Sequence, residues 1–135
     1  MSHIIKKVGL AVFKNKKILM ARSKNNSEVF YFPGGKFELG ETDLDCLKRE
    51  STEELGVCPN DSDIEFLAEF EDVAFGKPEG TKLNIRLYKV KLLPEARACS
   101  EIEEIKYFDS TIDSKNTDII GKKIFSWLKE RDYIN

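Results

Sequence analysis

Glu50, Glu53 and Glu54 stand at i, i+3 and i+4, the spacing that stacks three side chains on one face of an α-helix. Like charges so placed repel and cost stability. A hard divalent cation removes that repulsion, and an oxygen-only donor set suits magnesium or manganese. Arg49 sits beside them, and its guanidinium fork matches carboxylates, so it is expected to orient the glutamates. Upstream lie Glu41 and the turn Phe32-Pro33-Gly34-Gly35, followed by Lys36. Such a cluster can support metal-assisted cleavage of a diphosphate, in which charge on the phosphate oxygens is neutralised and a water is aligned for attack. A glutamate-rich helix can also be a plain solvated face. That bland reading does not require Gly35, Glu41 and Gly56 at set distances, or a Pro-Gly-Gly turn in front.

The stretch from Gly35 to Val57 reads GKFELGETDLDCLKRESTEELGV. It resembles the box of the Nudix hydrolase family, G-x5-E-x7-R-E-U-x-E-E-x-G-U with U a bulky apolar residue. Gly35, Glu41, Arg49, Glu50, Glu53, Glu54, Gly56 and Val57 match; Ser51 departs from the first U. The adjoining FPGGK is similar to the MutT-type branch. The resemblance implies an α+β fold, an α/β/α sandwich with a mixed β-sheet between helices. It implies Mg2+, or alternatively Mn2+, held by Glu50, Glu53, Glu54 and a backbone carbonyl at Gly35. The catalytic set it implies is Arg49, Glu50, Glu53 and a glutamate from a later loop, with the general base either Glu50 or that later carboxylate. Glu101 is the first choice for it and Glu104 the second; both can equally be surface acids.

Further residues are candidates for holding substrate. Arg22 ends a strand and can reach phosphate, or simply be exposed. Lys36 can lie over the phosphates. Phe75 and Tyr88 can stack on a base or pack in the core. Asn116 lies where MutT-type enzymes carry an asparagine that reads a purine edge, and an amide offers both donor and acceptor. Asn116 can equally be the N-cap of the last helix. Cys46 reads as packing.

The chain has 135 residues, enough for one domain with one core. Apolar residues at 41% and charged residues at 34% describe a soluble globular protein. The net charge of −2 argues against broad capture of nucleic acid or anionic membrane. No apolar run approaches the roughly 20 residues that span a bilayer. The apolar N-terminal stretch reads as a strand rather than a signal peptide. Cys46, Cys58 and Cys99 are odd in number and widely spaced, which fits a reducing cytoplasm. His3, near the terminus, is the only histidine, which removes most Ser-His-Asp and Cys-His mechanisms from consideration. The expected partner is a small nucleotide, taken by a monomer or homodimer.

These groups need elements to position them. Strands are predicted over 4–13, 18–21, 29–32, 64–75, 82–93 and 102–108, with a hairpin between the first two. Thr42 starts the box helix and Asp45 completes a capping box; Gly56 ends it. Leu44, Leu47, Ser51 and Leu55 form its inward stripe. The Ser51 hydroxyl is expected to bond back to the Leu47 carbonyl, which would leave the site tolerant of an apolar replacement. A second amphipathic helix is predicted over 116–131, with Ile120, Ile124, Trp127 and Leu128 inward.

Substrate class follows by elimination. The proline-rich motif of NADH-type relatives is missing, and so is the upstream motif of coenzyme A enzymes. The proline of ADP-ribose enzymes would fall near Val73, as would the tyrosine of the diadenosine polyphosphate group. What remains is a nucleoside triphosphate, ordinary or oxidised, cleaved to monophosphate and pyrophosphate. The alternatives are hydrolysis of ADP-ribose, a dinucleoside polyphosphate or RNA 5′ ends, and a Nudix module that senses a nucleotide without cleaving it.

Overall fold

The computed structural model describes residues 3–25, 28–74, 76–91, 93 and 95–135. Strand β1 (His3–Ala11) is flanked by β4 (Gly34–Lys36), antiparallel, and by β6 (Thr81–Val90), parallel; β5 (Ile64–Val73) pairs antiparallel with β6. This mixed four-stranded sheet has the order β4-β1-β6-β5. A second, antiparallel sheet has the order β2-β3-β7, from β2 (Phe13–Lys14), β3 (Lys17–Ser23) and β7 (Ile102–Phe108). The mixed sheet implied by the resemblance is present, and a smaller antiparallel sheet accompanies it. Between Ala11 and Phe13 the ladder breaks at Val12, and the hairpin turns through Asn15 and Lys16, both at positive φ, to pair with β7 instead.

Helix α1 (Asp43–Leu55) covers one face of β1 and α2 (Ile119–Glu130) the other, giving the α/β/α layering. Alternation along β1 feeds both cores. Val8, Leu10 and Val12 pack with Cys46, Leu47 and Leu55 of α1. Ile5 and Ala11 belong to the opposite core, with Leu83, Ile85, Leu87 and the α2 residues Ile120, Ile124, Phe125 and Leu128. Trp127 is half-buried and meets Phe70 edge-on at 5.5 Å.

The caps of α1 follow local chemistry. Thr42 Oγ1 accepts from the Asp45 N–H and Asp45 Oδ2 accepts from the Thr42 N–H, both at 3.1 Å. Gly56 closes the helix in the left-handed conformation. Ser51 is fully buried, but its hydroxyl donates to the Val57 carbonyl at 2.6 Å rather than to Leu47. The left-handed turn at Gly56 folds the chain back, bringing that carbonyl within reach. Ser51 therefore satisfies a backbone acceptor at the helix exit, and the expected tolerance of an apolar side chain is corrected.

Residues 29–32 do not form the predicted strand. Tyr31 makes one isolated bridge to Ala21 of β3, and then Pro33 accepts from the Leu10 N–H of β1 at 2.7 Å. The segment crosses from one sheet to the other, so no continuous ladder can form. The last helix begins later than predicted. Its N-cap is Asp118, whose Oδ1 accepts from the Gly121 N–H at 2.8 Å, and Asn116 ends a separate 3-10 turn, Ser114–Asn116. Asn116 is thus not the cap.

Candidate active site

Two glycines let the box helix approach β1. Gly34 has φ 148°, and a Cβ there would stand 2.0 Å from the Val8 carbonyl oxygen, so no L side chain fits. Its N–H donates to Glu54 Oε1 at 2.8 Å. At Gly35 a Cβ would meet the Glu50 carboxyl at 2.6 Å. The missing side chain is the space that carboxylate occupies.

Arg49 organises the acids. Its Nε and Nη2 hold Glu41 in a fork at 2.6 and 2.9 Å, and Nη1 donates to Glu50 at 2.6 Å. Nη2 also donates to the Lys36 carbonyl at 3.1 Å, tying the helix to the glycine loop. Arg49 and the Glu38 N–H hold Glu41 down at about 2. Glu54 is the opposite case: burial raises it from 4.5 to about 7, against the opposing Gly34 N–H, and Glu50 adds to the rise. Burial also raises Glu50 despite Arg49. Glu53 is mainly exposed and meets Arg49 at 3.4 Å. Behind the loop, the Cys46 thiol donates to the carbonyls of Lys36 at 3.4 Å and Gly35 at 3.6 Å. Burial pushes it up to about 12, so it packs as a neutral thiol.

Among the described residues no three acidic side chains gather as a ready metal cage. Glu50 leans on Arg49 and Glu54 on Gly34. Two half-buried carboxylates, both raised by burial and with Glu50 raising Glu54 further, still fit a hard cation, because magnesium takes one or two carboxylates and completes its shell with water and substrate phosphate.

Gly34, Gly35 and Glu54 line a cavity of about 140 Å³ together with Phe30, Phe32, Ile85 and Ile120. Glu101, Lys7 and Asp118 also line it. Of the later-loop glutamates, Glu101 reaches this space, whereas Glu104 accepts from Arg22 Nε and Nη2 at 3.2 and 3.1 Å. That pairing turns Arg22 away from the cavity lining, with its guanidinium 5.9 Å from the Phe30 ring centre. Lys36 lines a wider adjoining cleft. Asn116 lines neither; its amide donates to the Glu28 carbonyl at 2.9 Å. Tyr88 is tied by its hydroxyl to Asp43 at 2.5 Å, on the α1 side. Phe75 lies outside the described residues. Sequence reasoning missed Lys7 and Asp118. Asp118 was within reach of capping rules, since Asp directly before the apolar pair Ile119-Ile120 is an N-cap signal; Lys7 interrupts an apolar strand, which alone says little.

A model of the NUDIX domain matches residues 4–127. The chain belongs to the Nudix family. No curated protein matches it by sequence. Among solved structures, a MutT NUDIX hydrolase from Burkholderia pseudomallei is 18% identical with TM-score 0.74, over 93% of this chain and 98% of that one. The E. coli ORF135 protein is 22% identical with TM-score 0.70, over 96% and 94%. A bifunctional NMN adenylyltransferase/ADP ribose pyrophosphatase from Francisella tularensis, complexed with AMP and manganese, is 19% identical with TM-score 0.68, over 98% of this chain and 43% of that one. These likenesses carry the Nudix fold. Among the described residues no helix is long and apolar enough to cross a membrane.

Proposed function

We propose that the chain is a metal-dependent Nudix hydrolase that cleaves nucleoside triphosphates to monophosphate and pyrophosphate. The observation that carries the reading is the single cavity joining Gly34, Gly35 and Glu54 to aromatic walls and the buried carboxylate of Asp118. The glycines and Glu54 suit a metal-bound diphosphate, and the aromatic walls suit a flat base.

Glu50 and Glu54 would hold magnesium or manganese, with Glu53 ligating from the exposed side. When bound, the metal supplies charge neutralisation on the phosphate oxygens and activates water. Arg49 keeps Glu50 oriented and frees no proton of its own. Glu101 is the favoured general base, since it borders the cavity while Glu104 is committed to Arg22. Phe30 and Phe32 offer apolar surface, and Asp118 replaces Asn116 as the group that accepts from the base edge. A similar fold in a manganese- and AMP-bound relative supports the metal and nucleotide class. A reducing cytoplasm remains the expected compartment.

The test is a substrate panel with magnesium: the ribo- and deoxyribonucleoside triphosphates, their oxidised forms, ADP-ribose and dinucleoside polyphosphates. A triphosphate should give the highest kcat/KM. A higher value for ADP-ribose or a dinucleoside polyphosphate would overturn the substrate class, and no turnover of any compound would favour a nucleotide sensor.

A further inference from the structure

The α2-side face of β1 carries Ile5, Lys7, Gly9 and Ala11, of which Ile5 and Ala11 belong to the apolar core and Gly9 lies against Ile85 and Leu87. Lys7 breaks that pattern and projects into the cavity already described. Its register partner on β4 is Lys36. Antiparallel partners present their side chains on the same face, where like charges oppose each other. A second cleft, of about 440 Å³, shares Lys7, Tyr31, Leu83 and Asp118 with the first and adds Lys36 and Lys77. Three lysines therefore line one cleft.

Among the described residues, none of the three has a carboxylate within 4.0 Å. The acids that border Lys7 stand beyond ion-pair distance, and each gives one oxygen to a backbone N–H: Glu54 Oε1 accepts from Gly34, and Asp118 Oδ1 accepts from Gly121. Burial and the facing Lys36 push Lys7 below its ordinary value, against the opposing pull of Asp118 and Glu54. A half-buried cation set against another is a local conflict that folding alone does not reward, and such conflicts concentrate at functional sites.

We propose that Lys7, Lys36 and Lys77 form an anion subsite beside the metal centre, holding a phosphate group of the substrate that the metal does not hold and so favouring polyphosphorylated nucleotides. This rests on the hydrolase reading and extends it from Lys36 to two lysines on other elements.

The experiment separates the two claims by omitting metal. Inorganic triphosphate is titrated into the full chain in EDTA by calorimetry, for the wild type, Lys7→Met, Lys7→Arg and Lys77→Met. The wild type should bind, Lys7→Met should bind at least about tenfold more weakly, and Lys7→Arg should stay within about threefold. Lys77→Met, on an exposed loop, should weaken binding several-fold and decides the matter should Lys7→Met fail to fold. Added salt should weaken the wild type more than the methionine variants. With magnesium, Lys7→Met should raise KM for a nucleoside triphosphate with kcat held within about threefold. Equal triphosphate affinity for the wild type and both methionine variants overturns the subsite. So does an absence of wild-type binding. The expected binding pattern without any hydrolysis upholds the subsite while refuting the hydrolase reading.

Discussion

Without metal, the Glu54 carboxyl should make the protein less stable as pH rises, and Glu54→Gln should remove much of that loss. Glu54 is raised from 4.5 to about 7 by burial and by Glu50. The folded chain thus holds this proton more tightly than the unfolded one. Between pH 4.5 and 7 the folded state binds more protons, so the contribution is full below 4.5 and is lost as pH rises through about 7. The displacement corresponds to roughly 3 kcal/mol; the partly open cavity screens the charge and reduces this to about 2 kcal/mol. For a chain of this size that is roughly 6–8 °C in melting temperature. Glutamine keeps an acceptor for the Gly34 N–H and carries no charge. In EDTA the Glu54→Gln variant should therefore melt above the wild type at pH 8 and near it at pH 4.5. Magnesium should raise the wild type at pH 8 and do little for the variant. Parallel melting curves for the two proteins from pH 4.5 to 8 in EDTA would refute the reasoning.

Ser51→Val should destabilise by about 1–3 kcal/mol in urea unfolding, because the Val57 carbonyl loses its buried donor; a loss below about 0.5 kcal/mol would show that carbonyl finds another partner. Gly35→Ala should leave the fold intact but lower turnover by on the order of a hundredfold, since its methyl would displace the Glu50 carboxylate; near-normal kcat would place Glu50 outside the metal site. Asp118→Asn preserves a cap acceptor, so melting should shift by under about 1 kcal/mol, while kcat/KM for the preferred base falls by on the order of tenfold or more and preference among bases flattens. A melting loss with unchanged base preference would leave Asp118 a cap alone.

Much of this architecture was legible because it is locally encoded. The caps of α1 depend on Thr42, Asp45 and Gly56, whose side-chain and backbone preferences act within a turn. Strand β6, with Leu83, Ile85 and Leu87 alternating inward, and the inward stripe of α2 follow from periodicity. Partnerships made by the tertiary fold were not legible. Residues 29–32 have strand composition, but their hydrogen bonds divide between two sheets. The Ser51 hydroxyl has a carbonyl four residues back in every helix; only the fold-back after Gly56 offers the Val57 carbonyl instead. Asn116 and Asp118 are both cap-type residues; the apolar pair after Asp118 marks it as the cap, but only the fold shows that the same residue lines the cavity. Arg22 has the composition of a phosphate ligand, and its actual partner, Glu104, comes from a strand far along the chain. Lys7 carried no local signal, since its environment is made by β4, β6 and α2 together.

The central claim is metal-dependent pyrophosphohydrolysis at Glu50 and Glu54. Its most direct test is product analysis by anion-exchange chromatography of the preferred nucleoside triphosphate, with magnesium, with EDTA, and with Glu54→Gln. The account predicts equimolar monophosphate and pyrophosphate with magnesium, none in EDTA, and a rate at least about a hundredfold lower in the variant. Wild-type turnover by Glu54→Gln, undiminished turnover in EDTA, or release of orthophosphate and nucleoside diphosphate would contradict it.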